Sequence, residues 1–266
     1  MPEGDVLFAA AAKLRDVLNG REIIRVSGSH PGVRPNGRRL QGHTVSAVES
    51  IGKHLLVHFD HGWTVRTHLG MPGVWHVYRH GERWRRTPGK ARLVLETEAH
   101  VAVCFSAPTV EVGPTSRVRT SINHLGPDLM GEHVDWDEIG RRAERSDAPT
   151  VADLLLDQSV MAGIGNVFKS EVLFAERVHP DTPTGRLGAD VVAALAHRGR
   201  RLLLPNGQPR ARTTTGERRP GRRTWVYGRA GRPCRRCGTA IRTATHGELD
   251  RITYWCPTCQ PIQDPQ

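Results

Sequence analysis

The chain has 266 residues and a formal net charge of +11 at pH 7, with 38 lysine and arginine residues against 27 aspartate and glutamate residues. This length suits two domains plus a small metal-binding module, and the charge favours a polyanionic partner, with nucleic acid first and an acidic membrane surface second. No apolar stretch approaches the roughly 20 residues of a membrane-spanning helix, and the N-terminus lacks the pattern of a secretory signal, so we expect a cytoplasmic protein.

The first predicted element is a helix over residues 3–19. Apolar residues from Val6 to Val17 recur there at helical spacing, and Gly20 provides a stop. A stretch rich in Pro, Gly and Arg over residues 30–42 predicts a loop.

The next predicted region, from Arg21 to about Val112, has an alternation of period two. Short alternating runs at 55–59, 63–67 and 74–78 are separated by breaks that contain glycine. This pattern is typical of antiparallel strands in a sandwich or barrel.

After about residue 126 the pattern becomes helical. Thr150 and Asp153 have the spacing of a capping box. The predicted helices cover residues 135–145, 150–157, 166–176 and 189–204. The arginine-rich stretch 205–223 has no periodicity and predicts a mobile basic loop.

Four cysteines near the C-terminus form a C-x2-C-x18-C-x2-C pattern: Cys234, Cys237, Cys256 and Cys259. Two thiolate pairs at this spacing are typical of knuckles that hold one structural zinc ion. Two disulfides are the alternative, which a cytoplasmic location disfavours. Arginines surround the cysteines, so this metal-held ribbon is expected to face an anionic partner.

Lysine is rare in this chain. Only Lys13, Lys53, Lys90 and Lys169 are lysines among the 38 basic residues. Arginine is always protonated in proteins, whereas lysine exchanges protons and acts as an acid or base. The few lysines are therefore candidates for chemistry, although compositional drift also leaves stray lysines.

The turn Gly163-Ile164-Gly165-Asn166 joins two predicted helices. Its glycines permit close approach of a ligand, and the helix that begins at Asn166 directs free N–H groups outward, as a phosphate requires. Lys169 lies one turn further along. An ordinary connection between helices is an equally good interpretation of this local sequence.

The chain begins Met1-Pro2-Glu3-Gly4. Removal of Met1 would leave the secondary amine of Pro2, which can attack an aldehyde-like carbon and form an iminium ion, and Glu3 beside it can move protons. Taken alone, the same residues are better explained as an ordinary start of a helix.

Together these segments resemble the family of DNA glycosylase/lyases formed by formamidopyrimidine-DNA glycosylase and endonuclease VIII. The motifs that carry the resemblance are Met1-Pro2-Glu3-Gly4, Ile51-Gly52-Lys53-His54-Leu55-Leu56, His68-Leu69-Gly70-Met71, Leu125-Gly126-Pro127-Asp128, Leu156-Asp157-Gln158 through Gly163-Ile164-Gly165-Asn166, and Cys234 to Gln260. They run from one end of the chain to the other.

The resemblance implies an α+β fold and three regions. The N-terminal helix and antiparallel β-sandwich form a catalytic domain over residues 1–125, a helix–two-turn–helix DNA-binding domain follows over 126–228, and a zinc ribbon covers 229–266. DNA would lie between the two domains with the damaged nucleotide flipped out of the duplex. The partner is then damaged, double-stranded DNA, the location is the nucleoid, and we expect a monomer.

The resemblance also implies roles for individual residues. Pro2 would be the nucleophile at C1′ of the sugar, and Glu3 would help to expel the base and open the ring. Lys53 and Arg251 would bind phosphate and assist the eliminations, and Asn166 would bind phosphate. His124 lies where the family has an arginine for phosphate, and the one zinc ion would be structural.

One departure from the formamidopyrimidine branch bears on the substrate. That branch fills the gap left by the flipped base with the arginine and the phenylalanine of an Asp-Pro-Arg-Arg-Phe-Gly loop. The corresponding stretch of this chain, residues 105–112, has no such arginine and no such loop phenylalanine. The chain is closer to the endonuclease VIII branch, which prefers oxidised pyrimidines. Gly70, Met71 and Pro72 would then fill the gap, with Met71 as the wedge or, alternatively, as a core residue.

The sequence therefore predicts a bifunctional DNA glycosylase and AP lyase that acts by β,δ-elimination. A non-catalytic zinc-ribbon protein that binds nucleic acid on the same scaffold is the first alternative, and a basic structural nucleoprotein is the second. The joint presence of Pro2, Glu3, Lys53, Asn166 and Arg251 favours the enzyme, because a protein that only binds would tolerate the loss of each.

Overall fold

A computed structural model of the chain describes residues 2–208, 210–247 and 250–262. The chain divides into two compact units, Met1–His124 and Leu125–Gln266. Among the helices in the described ranges, none combines the length and apolar character that crossing a bilayer requires.

The first unit opens with helix α1, Gly4–Leu18, which confirms the helix predicted over 3–19. Gly20 has a φ of +68°, a left-handed conformation that favours glycine and allows the chain to turn away from the helix. The buried face of α1 recurs at helical spacing and consists of Leu7, Ala11, Leu14 and Leu18.

Two four-stranded antiparallel sheets follow, and they confirm the predicted sandwich and the α+β class. The strands are β1 Arg25–Ser27, β2 Val45–Ile51, β3 His54–Phe59, β4 Trp63–His68, β5 Val74–Arg79, β6 Ala91–Glu96, β7 His100–Phe105 and β8 Thr109–Pro114. One sheet has the order β2-β3-β4-β8 and the other has the order β1-β6-β7-β5.

Strand β7 shows why the run 101–105 is continuously apolar. Ala102 and Cys104 belong to the main core, together with α1 and both sheets, whereas Val103 and Phe105 belong to a second apolar cluster that also contains Trp84. Because side chains alternate across a strand, this sheet buries both of its faces. The predicted burial of Cys104 is confirmed, and its thiol is fully buried.

The last helix of the first unit is α2, Thr115–Thr120, and the periodicity did not predict it. Only Val118 of this helix is buried. A short helix with a single apolar contact leaves no repeating pattern in the sequence.

Among the described residues of the second unit, four helices match the predicted ones in place: α3 Trp136–Glu144, α4 Val151–Leu154, α5 Asn166–Ala175 and α6 Ala189–Leu203. The predicted capping box is present, since the Asp153 N–H donates to Thr150 Oγ1 and the Thr150 N–H donates to the Asp153 carboxylate. Helix α4 is shorter than the predicted 150–157. It ends early because Asp157 Oδ1 accepts the Ser159 N–H at 2.8 Å, which stabilises a turn in place of the next helical turn.

The segment 205–223 contains a single 3₁₀ turn and no helix or strand among its described residues. It was expected to be mobile, but several hydrogen bonds join it internally. Asn206 Nδ2 donates to the Thr213 oxygen at 2.8 Å, the Thr213 N–H donates back to Asn206 Oδ1 at 2.7 Å, and the Thr214 N–H donates to the Arg223 oxygen at 2.8 Å. The segment is therefore a folded loop.

The chain ends in a two-stranded antiparallel hairpin, β9 Arg242–His246 and β10 Arg251–Trp255. Preceding it, the Cys234 N–H donates to the Thr239 oxygen at 2.7 Å and closes a tight knuckle. Cysteines flank the hairpin on both sides, as a ribbon requires.

Candidate active site

The N-terminal candidates lie at the start of a well-packed helix. Glu3 precedes α1 in extended conformation, with φ −128° and ψ −176°, and its main-chain oxygen accepts the Val6 N–H at 3.0 Å. Its side chain is completely buried, whereas Pro2 is half-buried. Glu3 is therefore a buried carboxyl group that follows Pro2 directly in the chain, and its main chain is anchored to the first turn of α1.

Lys53 lies in the two-residue turn between β2 and β3. Ile51 pairs with His54 across this turn, and Gly52 has a φ of +56°. A glycine with positive φ at the first central position is typical of a tight hairpin turn whose twist matches that of the strands. The register of the hairpin therefore determines where the Lys53 amine lies.

A cluster of imidazoles and one arginine lies next to Lys53. His54 pairs with His68 across β3 and β4, and their ring centroids are 5.0 Å apart. Arg66 Nη1 lies 3.1 Å from His54 Nδ1, and Arg66 Nε donates to Glu111 Oε2 at 2.9 Å. Sequence reasoning missed Arg66 and Glu111, although Arg66 has the same alternating phase along β4 as His68.

These surroundings keep the His54 ring neutral. Burial, together with electrostatic interactions with His68, Arg66, His124 and Lys53, lowers the pKa of His54 to about 3. Burial likewise lowers the pKa of His68, with Lys53 and Arg66 adding to the effect. At neutral pH the positive charge of this cluster therefore resides on Lys53 and Arg66. His124 is an exposed residue of the turn that ends the unit.

The turn that joins β4 and β5 presents Met71 to solvent. Gly70 has a φ of +56°, and a Cβ atom there would lie 2.7 Å from Pro108 Cγ, so glycine is required. Leu69 is buried, whereas Met71 is 63% exposed. The exposure contradicts the alternative of Met71 as a core residue.

Residues 105–112 form no protruding loop. Ser106 adopts a φ of +54°, and the chain then enters β8, which pairs with β4 along its whole length. This stretch has neither the protruding loop nor the arginine with which the formamidopyrimidine branch fills the gap.

In the second unit, the glycine turn is built around Gln158. Its Nε2 donates to the main-chain oxygens of Leu156 at 2.9 Å and Ile164 at 3.0 Å, and its Oε1 accepts the Gly163 N–H at 3.1 Å. Gly163 has a φ of +111°. The Gln158 side chain thus joins both ends of the turn and determines how α5 begins.

Asn166 is the first residue of α5 and is nearly buried, with 6% exposure. Its Nδ2 donates to the main-chain oxygen of Ile252 at 2.8 Å, while its Oδ1 has no hydrogen-bond partner among the described residues. Ile252 lies in β10 directly after Arg251, so Asn166 connects the glycine turn to the ribbon hairpin.

Lys169 does not lie on the surface, contrary to what a phosphate contact requires. Its side chain is completely buried in α5. Glu171, two residues further along, is also completely buried. Every residue from Asn166 to Phe174 is in fact buried. The prediction that Lys169 contacts DNA directly is therefore wrong, because the Lys169 side chain faces the interior of the unit.

Glu171 is a residue that sequence reasoning missed. Its carboxylate accepts three consecutive main-chain N–H groups, from Trp225 at 2.8 Å, Val226 at 2.9 Å and Tyr227 at 2.8 Å, and also the Thr214 hydroxyl. These bonds satisfy a buried charge. They also connect α5 to both the arginine-rich loop and the start of the ribbon.

The four ribbon cysteines converge. Cys234 Sγ and Cys259 Sγ are 3.9 Å apart, Cys237 Sγ and Cys256 Sγ are 3.4 Å apart, and all four sulfurs lie within 4.8 Å of one another. Disulfide sulfurs would be about 2.05 Å apart. The predicted cluster of thiol ligands is confirmed, and its shape suits a metal ion.

Arg251 is the first residue of β10 and pairs with His246 of β9. The hairpin is anchored at this level, because His246 Nε2 contacts Asp181 Oδ1 at 2.7 Å and His246 Nδ1 contacts Thr253 Oγ1 at 2.8 Å. His246 is buried. The position of Arg251 therefore depends on a hydrogen-bonded link to the helical part of the unit.

Comparison with known proteins agrees with the residue patterns. Residues 1–109 match the family model described as the formamidopyrimidine-DNA glycosylase N-terminal domain, and residues 125–206 match the formamidopyrimidine-DNA glycosylase H2TH domain. The chain is 43% identical to the probable endonuclease 8 2 of Streptomyces coelicolor, over 98% of this chain and 94% of that protein.

Two further comparisons extend this finding. The DNA-(apurinic or apyrimidinic site) lyase Nei2 of Mycolicibacterium smegmatis is 40% identical, over 98% of this chain and 99% of that protein. The Lactococcus lactis formamidopyrimidine DNA glycosylase, solved noncovalently bound to DNA with an AP site, superposes with a TM-score of 0.82 at 22% identity, over 97% of this chain and 99% of that one. This last likeness is one of fold.

Proposed function

This chain belongs to the family of formamidopyrimidine-DNA glycosylase and endonuclease VIII, and on that premise we propose that it is a bifunctional DNA glycosylase and AP lyase of base excision repair. The observation that carries the proposal is the similarity, over nearly the whole chain, to relatives named endonuclease 8 and AP lyase. The substrate is oxidised bases, preferentially pyrimidines, in double-stranded DNA, and the enzyme acts as a monomer on the DNA of the cytoplasmic nucleoid.

The proposed chemistry begins at Pro2 after removal of the initiator methionine. The Pro2 nitrogen attacks C1′ of the damaged nucleotide, and the bond between C1′ and the base breaks. The base leaves with the proton that the Pro2 nitrogen gives up, and Glu3 assists this transfer. Glu3 supplies the proton that opens the sugar ring, and the product is an iminium ion on Pro2. The burial of Glu3 and the packing of α1 support this assignment, since both restrict the mobility of the residue that follows Pro2.

The iminium ion withdraws electrons and acidifies C2′, so that the phosphates on either side of the sugar are eliminated in turn. Lys53 is the proposed phosphate contact that assists the first elimination, and Arg251 assists the second. The cluster beside Lys53 supports its role, because His54 and His68 are neutral at pH 7 and leave the positive charge to Lys53 and Arg66. His124 adds a further phosphate contact.

In the second unit we assign the phosphate contact to Asn166 and the N-terminus of α5. The start of the ten-residue helix α5, whose dipole favours an anion, supports this role. Asn166 Nδ2, which carries a second hydrogen besides the one donated to Ile252, is the proposed donor to phosphate. Lys169 is left out of the assignment because its side chain is buried.

Met71 is the proposed wedge. Flipping a nucleotide leaves a gap in the duplex, and an apolar side chain inserted there offsets the lost stacking. The exposure of Met71 on a turn whose shape requires Gly70 supports this role, and so does the strand conformation of residues 109–112. Because Met71 contacts no base edge by hydrogen bonding, the enzyme has weak preference for the opposite base.

The ribbon cysteines are proposed to hold one structural zinc ion. With Zn–S bonds of about 2.3 Å, a tetrahedron has sulfur–sulfur edges of about 3.8 Å, and the observed sulfur–sulfur separations of 3.4 and 3.9 Å are close to that value. Four protein ligands leave no position for water, so the ion shapes the ribbon and takes no part in the reaction.

Borohydride trapping tests the proposal against the non-catalytic alternative. Untagged protein is mixed with reductant and a labelled duplex that contains either an abasic site or an oxidised pyrimidine. We expect a covalent band with both duplexes, and none when a glycine precedes Pro2. A band with the abasic duplex alone would reduce the proposal to a lyase, and no band despite tight binding would favour the non-catalytic binder.

A further inference from the structure

The first unit contains a second cluster of metal-ligating side chains, remote in sequence from the cysteines. It consists of His43, Asp60 and His61, each of which offers one ligand atom, and these atoms lie within 4.8 Å of one another. His43 precedes β2, and Asp60 and His61 lie in the three-residue turn between β3 and β4. None of the three belongs to the site proposed above.

The separations of the donor atoms suit a bound ion. His43 Nδ1 and His61 Nδ1 lie 3.1 and 3.4 Å from the same Asp60 oxygen, Oδ1. Ligands placed about 2.1 Å from a metal are separated by about 3.0 Å in an octahedron and about 3.4 Å in a tetrahedron. The three donors therefore already have the spacing of neighbouring ligands.

His61 is held in place by aromatic contacts. Its ring stacks on His43 with centroids 3.6 Å apart and on Trp63 at 6.0 Å, and it meets the edge of Phe59 at 6.0 Å. Both ring nitrogens are shielded from solvent, and neither has a hydrogen-bond partner of good geometry in the described part of the chain. A shielded imidazole nitrogen without a partner is costly unless it binds a ligand.

The turn that carries Asp60 is also fixed. Asp60 Oδ2 accepts the Thr44 N–H at 3.0 Å, which leaves Oδ1 directed at the two imidazoles. The main-chain oxygen of Gly62 accepts from the Thr115 N–H and hydroxyl, both at 2.9 Å. A carboxylate whose second oxygen is hydrogen-bonded in this way is oriented as ligating carboxylates are in metal sites.

A simple imidazole–carboxylate network is the competing interpretation. It explains the contact of His43 with Asp60, at hydrogen-bonding distance. It does not explain why a second imidazole also approaches the same oxygen, at 3.4 Å, while its Nε2 is shielded and has no hydrogen-bond partner in the described part of the chain. A cation bound by all three side chains accounts for the convergence of their donor atoms.

We propose that His43, Asp60 and His61 bind a divalent transition-metal ion of the zinc class, separately from the cysteine cluster. Two imidazole nitrogens and one carboxylate oxygen are a donor set that suits zinc and its neighbours. Three protein ligands leave positions for water. The ion connects the start of β2 to the turn between β3 and β4 and stabilises the first unit.

Calorimetric titration with Zn²⁺, on untagged protein whose ribbon is already loaded with one zinc, tests the proposal. We expect one further equivalent to bind the parent and none to bind a His43→Ala/His61→Ala variant. Asp60→Asn preserves the shape of the turn, and we expect it to weaken this binding at least about 10-fold, since even the loss of an outer partner of a metal ligand costs 10–100-fold. His133→Ala, an exposed histidine of the other unit, serves as the control.

Cobalt provides an independent readout. Co²⁺ in the cysteine cluster gives a sulfur charge-transfer band, whereas Co²⁺ bound by nitrogen and oxygen gives only weak visible bands, so the two sites are counted separately. A second equivalent without additional sulfur absorption supports the proposal. Unchanged binding in the Asp60→Asn and double variants, or no second equivalent in the parent, would overturn it.

Discussion

Asn166 donates its side-chain amide hydrogen to the main-chain oxygen of Ile252, at 2.8 Å, across 86 residues of sequence. Asn166 begins α5, and Ile252 follows Arg251 in the ribbon hairpin. The helix N-terminus provides one proposed phosphate contact of the second unit, and the ribbon strand provides the other. This hydrogen bond joins the two elements. The two contacts are expected to act as a single unit.

Replacement of Asn166 by alanine should weaken DNA binding about 10-fold, for lesion-containing and undamaged duplex alike. A hydrogen bond to a charged group such as phosphate contributes about 1.5 kcal/mol or more, which corresponds to about 10-fold in affinity, and phosphate contacts are the same in every sequence. Fluorescence anisotropy over a salt series measures the effect, and the slope of log affinity against log salt should stay unchanged, because the neutral asparagine side chain displaces no counterion. Asn19→Ala, at the exposed end of α1, is the matched control. Selective loss of lesion binding would contradict the assignment.

Replacement of Glu3 by glutamine should leave DNA affinity intact and slow base release by a factor of about 10² to 10⁴, the usual contribution of a positioned acid or base. The neutral amide has nearly the same shape, so the buried position beside α1 is preserved. Single-turnover glycosylase assays measure the loss, and anisotropy on the same duplex verifies binding. A variant as fast as the parent would remove Glu3 from the mechanism.

Removal of zinc from the ribbon should abolish DNA binding. Without an ion, the four cysteines are no longer joined, and the hairpin that contains Arg251 loses the cross-link that orders it. Verified metal loss, by elemental analysis, should accompany a loss of ribbon ellipticity and at least a 100-fold drop in affinity, and added Zn²⁺ should reverse both. Full binding by protein shown to lack zinc would refute the structural role.

Much of this arrangement could be predicted because it leaves local signals. Helical periodicity predicts α1, and alternation interrupted by glycine predicts the strands around Lys53. The spacing of the cysteines predicts the ribbon. Glu171 and Gln158 leave no such signal, because their hydrogen bonds join segments that only tertiary packing brings together. From sequence alone, a polar residue in a helix is ordinarily expected to face solvent.

Lys169 illustrates the same limit from the opposite direction. Lysine is rare in this chain, and Lys169 lies one turn after Asn166, so the sequence predicts a phosphate contact at the surface. In the structure its side chain is buried. Helix α5 is buried on every side over most of its length, and a helix surrounded by protein has no solvent-facing stripe for the periodicity to reveal. The capping box of Thr150, by contrast, is confirmed because capping depends on residues three apart.

The stability of the protein should fall as the pH drops below about 6.5, with His54 as a main contributor. Burial lowers the pKa of folded His54 to about 3, whereas the unfolded chain takes up the proton near the ordinary value of about 6.5. Between these values the unfolded state binds one more proton, so the free energy of unfolding decreases by up to about 1.4 kcal/mol per pH unit. Urea unfolding from pH 7 to pH 4 measures this slope.

A His54→Gln variant provides the control for that measurement. Glutamine retains a polar group near Arg66 but cannot titrate, so the variant should show a slope smaller by up to one proton over the same range. Its stability at pH 7 need not equal that of the parent, because only the slope is compared. An unchanged slope in the variant would assign the acid sensitivity to other groups.

Replacement of Met71 by alanine should slow excision from a paired duplex about 10-fold, since the contact of an inserted side chain with bases is worth about 1–3 kcal/mol. The effect should shrink when the target base lies in a mismatch or bubble, where less stacking has to be replaced. Single-turnover rates on matched paired and bubble substrates measure the difference. Ile24→Ala removes another exposed apolar side chain, 52% exposed and outside the proposed site, and should leave both rates unchanged. Equal rates for the Met71 variant and the parent on paired DNA would exclude Met71 as the wedge and leave the gap to be filled by another residue.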